Sequence, residues 1–149
     1  MTIPHYLSPF TTIVIFILSG MGWTLSFYFY GVYKKFIPDM VWWLPVQLQM
    51  AKCRCKEIVD TPYGKVLGQS NSFWGMWFYL GFIIITSFAY FTGSPSALFI
   101  FLLSLIGLMF SIYLGFGLLR LNVLCRTCLG VHGVNLAIFI VAGIQLILK

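Results

Sequence analysis

Two pairs of closely spaced cysteines are the residues of this sequence best suited to chemistry. Cys125 and Cys128 are three positions apart at the head of an apolar segment, which places both on one face of a helix. A thiol in the first turn of a helix faces unpaired N–H groups and the positive end of the helix dipole, which lower its pKa. Cys53 and Cys55 lie in the basic segment 52–56, where neighbouring cations also stabilise thiolate. Two close pairs indicate a redox or metal-binding role.

Two polar residues continue the face that carries Cys125 and Cys128. His132 is four positions after Cys128, and Asn135 three positions after His132. His132 is therefore expected about 6 Å deeper along the helix axis than Cys128. The surrounding segment is almost wholly apolar, so this face predicts a thiol pair that meets a lipid-soluble redox partner. A packing role for His132 is the alternative, although ionisable residues at membrane depth usually serve a function.

The composition indicates a membrane protein. Apolar residues make up 60% of the chain and charged residues 8%, which is outside the range of soluble domains. A helical span needs about 20 apolar residues, and four stretches qualify, at 9–33, 73–91, 97–119 and 124–148. They must be helices because lipid offers no partner for backbone polar groups. We predict an all-α membrane protein of one domain (1–149), a bundle of four transmembrane helices.

Several local features refine this bundle. The loop between the first two spans is expected to be partly structured and to cap the site, with its aromatic segment 40–45 in the headgroup zone. A tight turn at 92–95 joins the second and third spans. The net charge of +6 fits membrane-flanking residues, and no basic surface with readout residues suggests nucleic-acid binding. Close helix contacts are predicted at small residues of the first and third spans: Ser19, Gly20, Gly22, Gly107, Gly115 and Gly117.

Both cysteine pairs are predicted on one membrane face, because the loop after the first span and the loop before the fourth share a side. A thiolate from a flexible loop can then attack a disulfide of the other pair. A Cys-x-Cys bridge closes a small ring, and strained bridges tend to be oxidising, so Cys53/Cys55 suits an outward transfer of oxidising equivalents. Cys125/Cys128 suits their uptake from a hydrophobic acceptor.

These motifs resemble the vitamin K epoxide reductase family. The resemblance covers the first span loosely and most of 53–135 well. It combines several elements: Cys55, Thr61-x-Tyr63-Gly64, the run Leu67-Gly68-Gln69-Ser70-Asn71-Ser72 with Gly75 and Tyr79, and Cys125-x-x-Cys128. It implies a quinone-linked thiol–disulfide oxidoreductase that works with a separate thioredoxin-like protein. The quinone would be of the ubiquinone, menaquinone or vitamin K type, and vitamin K epoxide is the other candidate substrate.

The resemblance also implies roles for the cysteines. Cys128 resembles the cysteine that reacts with the quinone or its epoxide, and Cys125 resembles its resolving partner. Cys55 resembles the loop cysteine that bridges to Cys125 during electron transfer, and Cys53 would be the outer thiol that meets the protein partner. Family loop cysteines are usually several residues apart, whereas only Arg54 separates these two, so their order in the relay stays open.

The resemblance also implies which residues form the quinone site. Asn71 resembles the pocket asparagine that hydrogen-bonds a quinone oxygen, although helix capping would also explain it. Thr61 resembles a loop hydroxyl near the site, and His132 stands where animal enzymes typically have a tyrosine. His132 could donate a hydrogen bond or a proton to the developing hydroquinone. Aromatic residues crowd the same end of the second span, as a ring-binding pocket or an interfacial belt: Tyr63, Trp74, Trp77, Phe78 and Tyr79.

Two other functions compete with this one. A disulfide-generating enzyme of another fold family would use nearly the same chemistry, but such enzymes place Cys-x-x-Cys near the first loop. A binding protein could instead hold zinc or copper(I) on four thiolates, since these metals accept soft ligands.

The side of the membrane that carries the cysteines can be argued in two ways. Eight of the nine Lys and Arg residues, all but Lys149, flank the cysteine face, and the positive-inside rule makes that face cytoplasmic. The family's cysteines normally work in an oxidising compartment, the periplasm or ER lumen. We expect the extracytoplasmic side, because several of these cations lie at the active loop where thiolates need them. An inverted, cytoplasm-facing arrangement remains the alternative.

Overall fold

The computed structural model describes residues 7–92 and 96–148. Its helices and strands, in chain order, are α1 (Pro9–Tyr33), two 3₁₀ turns (Val46–Leu48 and Met50–Lys52), α2 (Cys55–Val59), β1 (Lys65–Val66), β2 (Gln69–Ser70), α3 (Asn71–Thr92), α4 (Ala97–Arg120) and α5 (Arg126–Ile147). Within these ranges, four helices are long and apolar enough to cross a membrane: α1, α3, α4 and α5. The predicted all-α bundle of four transmembrane helices is confirmed, and the chain is a multi-pass membrane protein. Positions 93–95 of the predicted turn lie outside the described residues.

Hydroxyl and sulfur caps set where the spanning helices begin. Ser8 accepts a hydrogen bond from the N–H of Thr11, and Ser96 caps α4 in the same way. Cys125 is the N-cap of α5, and its sulfur accepts a hydrogen bond of 3.2 Å from the N–H of Cys128. Cys125 therefore precedes the first helical turn, so the predicted span at 124–148 begins as a helix only at Arg126.

Small residues bring the helices together at two of the predicted positions. The bundle packs α1 against both α3 and α5, and α4 against α5. A side chain added at Gly22 would clash with the ring of Tyr79, and a Cβ at Gly107 would lie 2.6 Å from Phe78. Gly22 therefore lets α3 approach α1, and Gly107 lets the Phe78 ring of α3 rest against α4.

The other small residues behave less uniformly. A Cβ at Gly117 would lie 2.7 Å from the Tyr63 ring, which rests on this part of α4. Ser19 is fully buried and donates its hydroxyl hydrogen bond to the carbonyl of Ile15 in its own helix. At Gly20 and Gly115, apart from chain neighbours and the nearby backbone of the same helix, no described atom lies within 4 Å of an added Cβ, so the prediction of close packing is wrong at these two positions.

The segment between α1 and α3 forms a structured cap, as predicted. The Tyr28 hydroxyl accepts a hydrogen bond of 2.9 Å from the N–H of Met50, which ties the cap to α1. The Thr127 hydroxyl donates to the carbonyl of Leu48 at 2.6 Å, which ties the cap to α5. In the predicted headgroup segment, Trp42 is 96% exposed, while Leu44 is buried in the core cluster that joins the cap to α1 and α5.

A short hairpin that was not predicted from the sequence follows α2 in the cap. Strands β1 and β2 are antiparallel and pair Lys65 with Ser70. The turn places Leu67 at φ 52° and Gly68 at φ 79°, a pattern typical of a tight type I′ turn. The indole N–H of Trp74 donates to the carbonyl of Val66 at 2.9 Å, so α3 holds the hairpin in place.

Candidate active site

The four cysteines lie together at the capped end of the bundle. Disulfides join Cys53 to Cys55 and Cys125 to Cys128, and the paired Cα atoms are 5.2 Å apart in each case. The sulfurs of Cys53, Cys55 and Cys125 all lie within 4.8 Å of one another. The loop pair and the helix pair are therefore close enough for a sulfur of one to attack the other with a small movement.

The cysteines differ in burial and in what they border: Cys53 and Cys128 are both partly exposed, and Cys128 borders the cavity. Cys53 is partly exposed, whereas Cys55 and Cys125 are fully buried between the cap and α5. Cys128, one helical turn further into the bundle, lies in the wall of a cavity. This order leads from the protein surface, through the two buried sulfurs, to the cavity.

The cavity beside Cys128 has a volume of about 500 Å³ and lies between the helices beneath the hairpin. Its size is within the range of small-molecule sites. All four spanning helices contribute to a wall that is mainly apolar and aromatic. The predicted site residues in this wall are Cys128, Asn71, His132, Trp74, Phe78 and Tyr79.

Two of these residues present buried polar atoms that have no hydrogen-bond partner in the described part of the chain. They are the Oδ1 atom of Asn71 and both ring nitrogens of His132. The Nδ2 atom of Asn71 donates to the carbonyl of Tyr63, which orients the amide. Leaving a buried polar group unpaired costs roughly 1–3 kcal/mol. A ligand that supplies hydrogen-bond partners inside this apolar cavity would recover that cost.

Asn135 plays a different part in the same wall. Its Oδ1 accepts a hydrogen bond of 2.5 Å from the Tyr79 hydroxyl, and its Nδ2 donates to Ser111 Oγ at 2.5 Å. A longer contact of 3.4 Å runs to the carbonyl of Gly107. These partners already engage the amide, so Asn135 joins α3, α4 and α5 at the cavity rather than offering free groups to a ligand.

Two predicted site residues lie away from the cavity wall. The Thr61 hydroxyl donates to the carbonyl of Ile58 at 2.6 Å and closes the turn after α2. The Tyr63 ring packs against Tyr113, with ring centroids 5.8 Å apart. In this structure both residues support the cap, and Tyr63 reaches the site through the carbonyl that orients Asn71.

The α4 side of the cavity was not predicted from the sequence. This side consists of Ile106, Gly107, Phe110, Ser111, Leu114 and Leu118. The spacing of Gly107 and Ser111 was an available signal, since a small and a polar residue four positions apart share one helix face. Within an almost uniformly apolar helix, that face is the one expected to meet other helices.

Carboxylates pair with three basic residues of the cap. Arg54 pairs with Glu57 at 2.8 Å, Lys56 with Asp39 at 3.0 Å, and Lys65 with Asp60 at 3.3 Å. The hydrogen bond to Glu57 raises the pKa of the Arg54 guanidinium, and the hydrogen bond to Asp60 raises the pKa of Lys65. These three cations are thus engaged by carboxylates.

Comparison with known proteins agrees with this geometry. A model of the vitamin K epoxide reductase family matches residues 13–143, which include every cysteine and all of the cavity wall. No curated protein gives a significant match to the chain.

Proposed function

Since this chain belongs to the vitamin K epoxide reductase family and is a membrane thiol oxidoreductase, we propose that it passes electrons from a thioredoxin-like protein to a quinone. The observation that carries the proposal is the cavity beside Cys128, which combines a reactive sulfur with an apolar wall and unpaired polar atoms of Asn71 and His132. A quinone ring is flat and apolar with hydrogen-bonding oxygens at its edge, so it matches each of these features.

The polar atoms suit both redox states of a quinone. The second N–H of Asn71 and one ring nitrogen of a neutral His132 can donate to the carbonyl oxygens of the oxidised ring. The Asn71 Oδ1 and the other His132 nitrogen can accept from the hydroxyls of the reduced ring. We assign Trp74, Phe78 and Tyr79 to the ring pocket, and Thr61 and Tyr63 to its support. The same groups would serve a ubiquinone, menaquinone or vitamin K ring, or the oxygen atoms of an epoxide.

The order of the sulfurs supports a relay in three exchanges. A dithiol of the partner first reduces the Cys53–Cys55 disulfide and leaves as a disulfide. A Cys55 thiolate then attacks the sulfur of Cys125, the Cys125–Cys128 bond breaks, and Cys128 is released as a thiolate in the cavity wall. In the third exchange, Cys53 attacks Cys55, the Cys55–Cys125 bond breaks, and Cys125 is released as a thiol. Cys125 and Cys128 then form a disulfide again as two electrons and two protons pass to the quinone. Cys53 is the partly exposed member of the loop pair, which makes it the loop cysteine that a protein partner could reach.

The four-thiolate metal site finds less support in the same geometry. The close set of sulfurs contains Cys53, Cys55 and Cys125 but not Cys128. A structural zinc site usually has four ligands arranged around one centre. Cys128 lies in the cavity wall instead, which favours reaction with a ligand there.

Replacement of Cys128 by alanine tests the proposed function. In detergent-solubilised protein supplied with a small dithiol and a short-tailed quinone, Cys128→Ala is expected to abolish quinone reduction, because no thiolate would remain in the cavity wall. Leu129→Ala is the matched control: Leu129 is the next residue, is 50% exposed and lies outside the cavity wall, so activity should be retained. Quinone reduction by a folded Cys128→Ala protein at the wild-type rate would refute the proposal.

A further inference from the structure

The distribution of basic residues between the two ends of the bundle is strongly unequal. The cysteine end holds the last residue of α1, the first of α3, the last of α4 and the first of α5. Eight Lys and Arg residues lie at this end or in its loops: Lys34, Lys35, Lys52, Arg54, Lys56, Lys65, Arg120 and Arg126. In the 149-residue sequence, Lys149 is the single Lys or Arg at the opposite end.

The active site offers one explanation for this excess of cations, because neighbouring cations stabilise thiolates. The contacts show that Arg54, Lys56 and Lys65 are paired with carboxylates instead. Ion pairing with carboxylates therefore accounts for the positions of these three side chains.

Other cations stand at the ends of the spanning helices. Lys34 is exposed at the end of α1, with its ammonium 5.9 Å from the centre of the Tyr30 ring and 5.7 Å from that of Tyr33. Lys35 and Arg120 are also exposed at helix ends, and across residues 7–92 and 96–148 no carboxylate lies within ion-pair distance of these three. A lysine among tyrosines at the end of a span is typical of a membrane–water interface.

We propose that the cysteine face of this chain lies in the cytoplasm and that its redox partner is a cytoplasmic dithiol protein. Short loops rich in Lys and Arg are retained on the cytoplasmic side during insertion, and acidic residues have little influence on this outcome. The inference rests on the proposed function for the nature of the partner, whereas the orientation itself rests on the charges. It reverses the extracytoplasmic expectation, because six of the eight cations are either paired with carboxylates or stand at the ends of spanning helices.

The reaction is balanced in this orientation. A cytoplasmic protein dithiol loses two electrons and two protons and becomes a disulfide, while the quinone in the bilayer takes up both and becomes a hydroquinone. Cytoplasmic disulfides are rare as structural bridges, but transient catalytic disulfides do occur there. Both cysteine pairs would be of that transient kind.

Thiol labelling in bacterial spheroplasts tests the orientation without any need for activity. One variant keeps Cys53 as the single cysteine (Cys55→Ser, Cys125→Ser and Cys128→Ser). The matched variant replaces all four cysteines by serine and adds Leu148→Cys, at a position that is 79% exposed at the far end of α5. After treatment with a permeant reductant, a membrane-impermeant maleimide should label the Leu148→Cys protein in intact spheroplasts, and Cys53 only after the membrane is permeabilised.

The reverse labelling pattern would overturn the proposal, and so would labelling of both positions in intact spheroplasts, which would show two orientations. Reporter fusions to the wild-type chain guard against variants that fail to insert. A carboxyl-terminal alkaline phosphatase should be active and a carboxyl-terminal green fluorescent protein dark. Because quinone reduction in detergent does not depend on orientation, failure of the orientation and failure of the proposed function would be distinguished.

Discussion

Asn71 and Thr61 show how differently two predicted ligand residues can be used. The Asn71 amide is oriented by the Tyr63 carbonyl, because turning it over would bring two oxygens together, and its buried Oδ1 has no partner among the described residues. The Thr61 hydroxyl is satisfied by the Ile58 carbonyl and lies away from the cavity wall. A family motif therefore identifies both residues, whereas their contacts suggest that Asn71 alone of the two binds the ligand directly.

The two residues should respond differently to truncation. Asn71→Ala is expected to raise the KM for the quinone by roughly tenfold, since a hydrogen bond between buried groups contributes on the order of 1 kcal/mol or more. Thr61→Ala, the control, should leave this KM nearly unchanged while lowering thermal stability slightly. Steady-state kinetics with a short-tailed quinone would measure both values, and equal changes in KM would contradict the assignment.

At the scale of helices, the site depends on how closely α1 and α3 approach. Gly22 faces the Tyr79 ring, whose hydroxyl in turn holds Asn135 of α5. Gly20, half a turn earlier in α1, faces open space in the described structure. The first span contains both glycines in one short run, so their different roles could not be inferred from residue type. They follow from the rotation of α1 about its own axis, which packing against its neighbours determines.

These two glycines form a matched pair for mutation. Gly22→Ala is expected to lower stability by about 1–3 kcal/mol, the usual cost of overpacking, and to reduce quinone turnover by displacing Tyr79. Gly20→Ala should be neutral or slightly stabilising, because alanine favours a helix more than glycine does. Thermal unfolding in detergent would compare them. A Gly22→Ala protein as stable as Gly20→Ala would show that the α1–α3 contact is looser than described.

For the whole molecule, the main feature is a path from a partly exposed sulfur in the cap to a cavity at membrane depth. The cap is tied to α1 through Tyr28 and to α5 through Thr127, so the loop sulfurs stay near Cys125. The loop pair and the helix pair are about 70 positions apart in the chain, and the fold brings three of the four sulfurs within 4.8 Å. This closeness is the basis on which we propose an exchange between Cys55 and Cys125.

A trapped intermediate would report on this path. In the double variant Cys53→Ser/Cys128→Ser, Cys55 and Cys125 have lost their native partners and should oxidise to a Cys55–Cys125 disulfide, which non-reducing peptide mass spectrometry can detect. The control Cys55→Ser/Cys125→Ser leaves Cys53, which belongs to the close set of sulfurs, and Cys128, which does not, so the corresponding bridge should form slowly or not at all. Efficient bridging in the control alone would reverse the proposed order of the sulfurs.

The sequence by itself determined the four spans, the reactive residue types and the shared membrane face of the two cysteine pairs. The spans, and with them the shared face, follow from chain length and apolarity, because backbone groups in lipid must satisfy one another within a helix. Tertiary structure decided which side chains meet: it added Ser111 and Gly107 to the cavity, directed Thr61 and Tyr63 into the cap, and made Cys125 a helix cap beside Cys55. In helices that are apolar on nearly every side, hydrophobicity does not specify rotation, so the contacts of small and polar residues with neighbouring helices determine it.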